Sequence, residues 1–277
     1  MKKPKLKTSH ILAMLAVIIP AFAAYFIYEN DRLTVSNYVF ESDKVAPNFD
    51  GFRIVHISDL LNKSFGKGNE KLLELIEAQN PDIIVISGDL VDSRHTDKEV
   101  ALDFLREAAR IAPTFYTTGN HEGRFPEDEI AEFLEAAEEA GAVVLTHDTV
   151  TITIGDEKIY LCGLADSFLS EENLSSLMKD TGDTLTLLIS HRPQYGELYA
   201  GCGADLTFSG HAHGGQMRLG SLGGLVSPDQ GLFPKYTEGV HYFGDSATVI
   251  SRGLGNSLIP TRINNPPELV VVELKNK

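Results

Sequence analysis

The segment at residues 209–216, with the sequence SGHAHGGQ, holds two histidines, His211 and His213, two positions apart. In an extended chain alternate side chains point the same way, so two imidazoles could serve one metal ion or two neighbouring ions. The flanking glycines let the backbone come close to whatever the histidines hold. This spacing alone does not separate a metal site from two exposed loop histidines, so the rest of the chain must decide.

Five apolar segments that we interpret as strands are each followed by Asp, Asn or His. The predicted strands cover residues 54–57, 83–86, 115–118, 187–189 and 206–208, and the residues after them are Asp59, Asp89, Asn120 with His121, His191, and His211 with His213. One acidic residue after a strand is typical of a turn or a helix cap. In open α/β sheets, however, sites form outside the carboxyl ends of strands. Five such ends therefore favour one shared site.

The chemistry of this group is mixed oxygen and nitrogen. Such a donor set suits Mn, Fe or Zn better than Ca or Mg, which prefer shells made of oxygen alone. No cysteine belongs to the group, so a structural thiolate zinc site is not expected. Two metal ions that share a carboxylate could activate one hydroxide and hold a phosphoryl group for in-line attack.

Helical periodicity in residues 69–79 and 97–111, and again after Pro126, alternates with the predicted strands. This alternation predicts an α/β domain. The pattern then changes, because turns separate short apolar segments at residues 142–145, 150–154 and 158–162. We expect these later strands to pair antiparallel.

The combined motifs resemble those of the calcineurin-like metallophosphoesterases in order and spacing. The matching residues are Asp59, Gly88-Asp89, Gly119-Asn120-His121-Glu122, His191 and Gly210-His211-Ala212-His213. Residues 51–274 are similar to this superfamily throughout, and the segments PDIIVISGD, GGQ and SRGLG resemble its membrane-anchored or exported bacterial phosphodiesterases. The resemblance implies an α/β fold in which helices flank a two-sheet β-sandwich. It also implies metal-dependent hydrolysis of a phosphoester, with a diester favoured over a monoester.

The resemblance further implies how two divalent metal ions would be held. Asp89 would bridge both ions, and a bridging hydroxide would be the nucleophile. The other ligands would be Asn120, His191 and His211 at one site and Asp59 and His213 at the second site.

The neighbouring residues receive roles from the same resemblance. His121 would sit beside the leaving-group oxygen and donate a proton or stabilise the developing charge, a contribution of ~10²–10⁴-fold for a positioned acid. Glu122 would orient its neighbours. Arg124 is either a contact to a substrate phosphate or an exposed charge.

One position departs from the family pattern. The family has Asp-x-His at its first motif, whereas this chain has leucine at the third position, Leu61, which cannot coordinate a metal. Water could fill the gap, or Asn62 or Asp92 could substitute, although Asp92 could equally cap the following helix. Alternatively, the site of Asp59 and His213 is weak or empty. The chain would then be a weakly active or inactive phosphoester-binding protein with one metal.

The net charge of −15 excludes the class of proteins that coat a nucleic-acid backbone, so no nucleic-acid partner is expected. We expect a phosphoester substrate instead. Specificity would lie in the loops at residues 62–69, 122–128, 164–172 and 220–240, none of which carries a readable code.

The N-terminal region predicts a membrane anchor. Residues 1–10 form a basic tail, residues 11–28 are apolar and span about 27 Å as a helix, residues 29–50 are expected to be a linker, and residues 51–277 form the metallophosphoesterase domain. Lysines before the apolar run place the N-terminus in the cytoplasm and the domain outside the cell membrane. The alternative is secretion after signal cleavage near Ala23. The anchor brings lipid or cell-envelope phosphoesters within reach.

Overall fold

Two six-stranded sheets, one two-stranded ribbon and six α-helices make up residues 8–256 and 260–277, which the computed structural model describes. The helices are α1 (Thr8–Asp31), α2 (Glu70–Glu77), α3 (Lys98–Ile111), α4 (Glu127–Glu139), α5 (Glu171–Leu177) and α6 (Gly196–Gly201). The strands are β1 (Thr34–Ser42), β2 (Arg53–Ile57), β3 (Ile83–Ile86), β4 (Thr114–Tyr116), β5 (Val143–Val144), β6 (His147–Ile154), β7 (Glu157–Leu164), β8 (Thr186–Ser190), β9 (Leu206–Ser209), β10 (Val226–Ser227), β11 (Gly231–Leu232), β12 (Gly239–Phe243), β13 (Ser246–Ile250) and β14 (Glu268–Asn276).

The predicted sandwich with flanking helices is confirmed. The first sheet has the order β1-β14-β2-β3-β4-β5, and the second has the order β12-β13-β9-β8-β7-β6. A core that includes Ile54 and Val270 from the first sheet and Leu187 and Phe208 from the second joins the two faces. Helices α2, α3 and α4 cover the outer face of the first sheet, and α5 and α6 cover that of the second.

Strands β2 and β3 are buried on both faces, which explains their unbroken apolar sequences. Ile54 and Val85 pack between the sheets, whereas Val55, Ile84 and Ile86 pack against the helices. Strands β2, β3 and β4 are parallel neighbours in the first sheet, and β8 and β9 are parallel neighbours in the second. The carboxyl ends of these strands therefore lie together at one end of each sheet. The polar residues that follow these strands lie just beyond those carboxyl ends.

The expected linker at residues 29–50 differs from the structure. Residues Thr34–Ser42 form β1, which pairs in parallel with β14 along nine residues at the edge of the first sheet. Phe40 is buried in the core between the sheets, while its neighbour Val39 is half exposed. The alternating burial in this segment marks a strand with one covered face, and its partner β14 lies more than two hundred residues away in sequence.

The expected antiparallel pairing from residue 142 onward is wrong for its first strand. Val143–Val144 pairs in parallel with β4, because α4 carries the chain back across the first sheet. Strands β6 and β7, which a short turn connects, are antiparallel as expected.

Helix α1 contains the apolar segment predicted at residues 11–28. Its stretch Leu12–Asp31 has a mean hydropathy of 1.9 and is almost entirely exposed, so it is long and apolar enough to cross a membrane. A membrane anchor and a signal sequence both meet this criterion. Most of the predicted basic tail at residues 1–10 lies outside the described residues.

The burial pattern of β1 predicts the effect of a matched pair of substitutions. Phe40→Ala should lower the free energy of unfolding by about 3–5 kcal/mol, because it leaves a cavity between the sheets. Val39→Ala, on the exposed face of the same strand, should change it by less than about 0.5 kcal/mol. Urea unfolding in detergent, followed by far-ultraviolet circular dichroism, measures both. Equal small effects would show that residues 34–42 are a linker after all.

Candidate metal centre

Three buried side chains from both sheets meet at the carboxyl ends of their strands. Asp89 follows β3, His191 follows β8 and His211 follows β9, and one ligand atom from each lies within 4.8 Å of the others. His191 Nε2 lies 3.2 Å from both Asp89 Oδ2 and His211 Nδ1. Ligands about 2 Å from a shared cation have similar mutual spacings. The three atoms therefore fit around one metal ion.

Asn120 lines the same cleft as Asp89 and His211. In the described part of the chain, its buried side-chain oxygen Oδ1 has no hydrogen-bond partner. Buried polar atoms nearly always have a partner, and an orphaned oxygen beside such a cluster is available to a cation. This observation makes Asn120 a candidate fourth donor for a metal ion at the cluster.

Asp59 and His213 form a second group next to the first. His213 Nε2 lies 3.5 Å from Asp59 Oδ1, and both side chains are buried. The same carboxylate accepts the backbone N–H of His211 at 3.0 Å, so the two groups share a boundary. Burial lowers the pKa of His213 to about 4, so its imidazole is neutral at ordinary pH and its lone pair is free to bind a metal.

The backbone at these positions adopts an uncommon conformation. Asp59, Leu61, Asp89, His211 and His213 all have φ between 48° and 63°, in the left-handed region that residues other than glycine rarely occupy. Each such residue costs roughly 1–3 kcal/mol and persists only where its surroundings enforce it. The strain is concentrated on the ligand loops, as expected for a functional site.

The motif glycines are required because carboxylates pass directly over them. A side chain at Gly119 would collide with Asp89 Oδ1, and a side chain at Gly210 would collide with Ser58 Oγ and Asp59 Oδ2. These two glycines therefore allow the loops from both sheets to close around the acidic side chains.

His191 is oriented by a backbone carbonyl. Its Nδ1–H donates to Ser87 O at 2.7 Å, which leaves Nε2 to face Asp89. Burial alone would lower the pKa of His191, but the carboxylates of Asp89 and Asp59 raise it to about 10. Burial alone would raise the pKa of Asp89, but the charge and hydrogen bond of His191 hold it below its ordinary value. The pair is charged, so a bound cation would displace the proton on His191.

His121 presents a defined proton to the cleft. Its backbone N–H donates to Asp89 Oδ1 at 2.8 Å, and its Nδ1 accepts the backbone N–H of Ser93 at 3.1 Å. In the neutral ring the proton must then lie on Nε2, which is 4.0 Å from Asp89 Oδ2. This arrangement directs an N–H group toward the metal ligands.

Glu122 joins the two ligand loops of the first sheet. Its fully buried carboxylate accepts the backbone N–H groups of Asp89, Gly119 and Val91 at 2.9, 2.9 and 3.1 Å. Burial, reinforced by the nearby Asp89, raises the pKa of Glu122 to about 7. The orienting role expected for Glu122 thus has a specific form, in which one side chain fixes the loops that carry Asp89 and Asn120.

The ligands open into a cleft of about 300 Å³. Its rim carries Arg94, Arg124 and Arg192. Arg94 is paired with Asp92, and Arg192 with Asp166, whereas Arg124 has no ion pair within residues 8–256 and 260–277. Arg124 is exposed at the mouth of the cleft, where it can meet an anion that enters.

Residues 52–215 match the family model described as calcineurin-like phosphoesterase. The chain belongs to this family. Divalent metal ions serve as cofactors in the family, and the cluster of Asp89, His191 and His211 is a candidate for holding one. A phosphoester is the corresponding class of substrate.

Curated relatives of this calcineurin-like chain cover most of its length. YkuE of Bacillus subtilis (strain 168), an uncharacterized metallophosphoesterase, is 28% identical over 90% of this chain and 87% of its own. The phosphodiesterase YaeI of Escherichia coli (strain K12) is 28% identical over 85% of both chains. The crystal structure of TT1561 of Thermus thermophilus has a TM-score of 0.51 at 13% identity, over 73% of this chain and 90% of its own, and supports the fold alone.

Leu61 stands where the resemblance places a ligand histidine, and both of its proposed substitutes, Asn62 and Asp92, contact other protein groups. Leu61 is buried, 6% exposed. The Asp92 carboxylate is bound by Arg94 at 2.9–3.1 Å, and Asn62 Oδ1 accepts the backbone N–H of Asp92 at 3.3 Å. Asp92 does not cap α3, because that helix begins at Lys98. The two proposed substitutes are thus engaged by protein groups.

Two residues of the site gave no signal in the sequence. Asp229 lies in the turn between β10 and β11, and its Oδ2 is 2.9 Å from His211 Nε2. Arg192 contacts the same carboxylate and also donates to Asp166. If the His211 Nε2–H donates to Asp229, then Nδ1 is the free atom that faces His191. No local motif could reveal this contact, since eighteen residues separate Asp229 from His211.

This geometry predicts that Asp229 sets the orientation of His211. Asp229→Ala should weaken binding of Zn²⁺ or Mn²⁺ by roughly 10–100-fold, the usual effect of removing a carboxylate behind a ligand histidine. Competition with a chelating dye measures the affinity, and ¹⁵N chemical shifts of the His211 ring report its tautomer. Asp245→Ala removes an exposed carboxylate at a distant turn and serves as the control. Unchanged affinity and tautomer in Asp229→Ala would refute the role.

Proposed function

We propose that this chain is a phosphodiesterase that uses two divalent metal ions. The observation that carries the proposal is the position of Asp89, whose carboxylate faces His191 and His121 and whose loop is hydrogen-bonded to that of Asp59. A carboxylate between two groups of nitrogen and oxygen donors is suited to bridge two cations. The name of the relative YaeI, a phosphodiesterase, supports a diester as the substrate.

The residues divide into two ligand groups that share Asp89. Asn120, His191 and His211 would hold one ion, and Asp59 and His213 the other. Mixed oxygen and nitrogen donors favour Mn, Fe or Zn. When bound, the ions would act as Lewis acids toward the phosphoryl group and the attacking water.

The protein's own groups would handle the charge that develops on the substrate. The Nε2–H of His121 points into the cleft and can stabilise, through a hydrogen bond, the charge that develops on the departing oxygen. Arg124 would meet the incoming phosphate, because it alone of the three rim arginines lacks an ion pair among the described residues. Glu122 keeps the two loops of the first sheet in register while this occurs.

We also propose that α1 anchors the protein in the cell membrane, with the catalytic domain outside the cytoplasm. The lysines before α1 and the acidic residues Glu29 and Asp31 at its end favour this orientation. Because β1 pairs with β14 in the first sheet, we include residues from Thr34 onward in the catalytic domain, whereas the sequence alone predicts a start at residue 51. Mass spectrometry of the N-terminus separates an anchored chain from one that is secreted after cleavage.

A second candidate function rests on Leu61. With only two terminal ligands, the site of Asp59 and His213 would bind its metal ion weakly. The chain would then bind a phosphoester through one metal ion and hydrolyse it slowly or not at all. Asn62 and Asp92 are already hydrogen-bonded to other protein groups. This favours the one-metal function over replacement of the missing histidine by either residue.

Hydrolysis is tested with the full chain in detergent and added Mn²⁺. We expect turnover of bis-p-nitrophenyl phosphate to exceed that of p-nitrophenyl phosphate. His121→Gln should lower turnover by ~10²–10⁴-fold, because the imidazole N–H that would stabilise the departing oxygen is lost. Asp245→Asn, far from the cleft, should leave it unchanged. If neither ester is hydrolysed, the main proposal fails.

The state of the second metal position is tested by metal analysis. His211→Ala should abolish tight binding, because it removes a ligand from the complete group, whereas His213→Ala should remove only the weaker ion. Leu61→His should raise the metal content toward two ions per chain and raise turnover with it. Equal losses in the two histidine variants would show that the positions are equivalent.

A further inference from the structure

Four large apolar side chains are exposed on two segments that follow the candidate ligands His211 and His213 in the chain. Leu219 and Leu222 flank one turn and are 47% and 68% exposed. Leu232 and Phe233, at the end of the β10–β11 ribbon, are 70% and 59% exposed. We call these four residues the apolar rim. Backbone hydrogen bonds from Phe233 to Leu225 and from Leu225 to Met217 connect the two segments, and exposed apolar groups clustered in this way are typical of an interaction surface.

The apolar rim is continuous with the wall of the cleft. Leu232 pairs with Val226 in the two-stranded ribbon, and the turn between these strands carries Pro228 and Asp229. Both turn residues line the cleft. The turn of this short ribbon therefore borders the cleft, and the end of the ribbon presents apolar side chains to solvent.

The apolar rim is also joined to helix α1. Asn264 accepts a hydrogen bond from the Tyr25 hydroxyl at 2.9 Å, and its side-chain N–H donates to the carbonyl of Arg218 at 3.3 Å. Arg218 immediately precedes Leu219. Tyr25 lies within the apolar run of α1, about 4.5 Å along the helix axis before Tyr28. This face of the domain thus reaches the helix at the depth where the apolar run ends.

The end of α1 is fixed to the domain by further contacts. Asn256 donates to the side chain of Asn30 at 2.7 Å, and Lys63 donates to the Asn30 carbonyl and to Asp31, both at 2.8 Å. These bonds hold the last residues of the helix against the domain. The helix therefore leaves the domain on the side that carries Asn256 and Asn264.

From these contacts we propose that the apolar rim inserts into the lipid surface that α1 enters. The cleft then opens at the membrane and receives the phosphoester headgroup of a membrane amphiphile. The lipid surface is the favoured occupant because the rim lies beside a helix that is itself exposed and apolar. The identity of the substrate rests on the proposed hydrolysis, whereas contact between rim and lipid does not.

The absence of tryptophan from the chain allows a direct test of contact. Phe233→Trp places one fluorophore in the rim, and Tyr242→Trp places one at an exposed site on β12 beside Asp205, before β9, at the opposite end of the second sheet from the ligands. Each full chain is reconstituted into phosphatidylcholine and phosphatidylglycerol vesicles with acyl chains brominated near the headgroup. We expect quenching at position 233 and none at position 242. No quenching at either position, or equal quenching at both, overturns the proposal.

A second measurement addresses the substrate. The double variant Leu232→Ser, Phe233→Ser should lower turnover of a long-chain phosphodiester embedded in vesicles by about tenfold, because two apolar contacts with lipid are lost. Its turnover of soluble bis-p-nitrophenyl phosphate should match that of the unaltered chain. Equal losses on both substrates overturn the proposed role of the rim. If the unaltered chain hydrolyses neither substrate, the proposed function fails with the substrate class, and quenching still decides the lipid contact.

Discussion

The carboxylate of Asp89, buried between the ends of the two sheets, is the constraint on which the rest of the site depends. One oxygen accepts the backbone N–H of His121 from the first sheet, and the other faces His191 from the second. The backbone N–H of Asp89 is held by Glu122. Loops from both halves of the sandwich must therefore close on one side chain. The close approach of these loops accounts for the left-handed backbone at the candidate ligands. It also accounts for Gly119 and Gly210, where a side chain would collide with a carboxylate.

Electrostatics makes such a centre costly without a cation. Several carboxylates and imidazoles are removed from water within a few ångströms of one another, and burial penalises each charged form. Burial and the nearby Asp89 raise the pKa of Glu122, and the carboxylate of Asp89 raises the pKa of His191, so both groups hold a proton more strongly than in water. A divalent ion at the cluster would replace the proton on His191 and satisfy the orphaned oxygen of Asn120.

The two halves of the site differ in their surroundings. The half formed by His191 and His211 has supporting partners on both rings, Ser87 and Asp229. The half around His213 has Leu61 where the resemblance places a ligand histidine. Its ring nitrogen Nδ1 has no partner in the described part of the chain. Because support behind a ligand strengthens its hold on a metal, this difference makes the His191 half the stronger candidate for a permanently occupied position.

Local sequence determined much of this protein. Unbroken apolar segments predicted the central strands, and the residues after them supplied the candidate ligands, because strand ends and glycine turns are encoded within a few positions. The long apolar run likewise identified α1. Tertiary structure alone decided the contacts between distant segments: the pairing of β1 with β14, the bond from Asp229 to His211 and the link from Tyr25 to Asn264. These contacts join residues that share no periodicity, so only the packing of the two sheets brings them together.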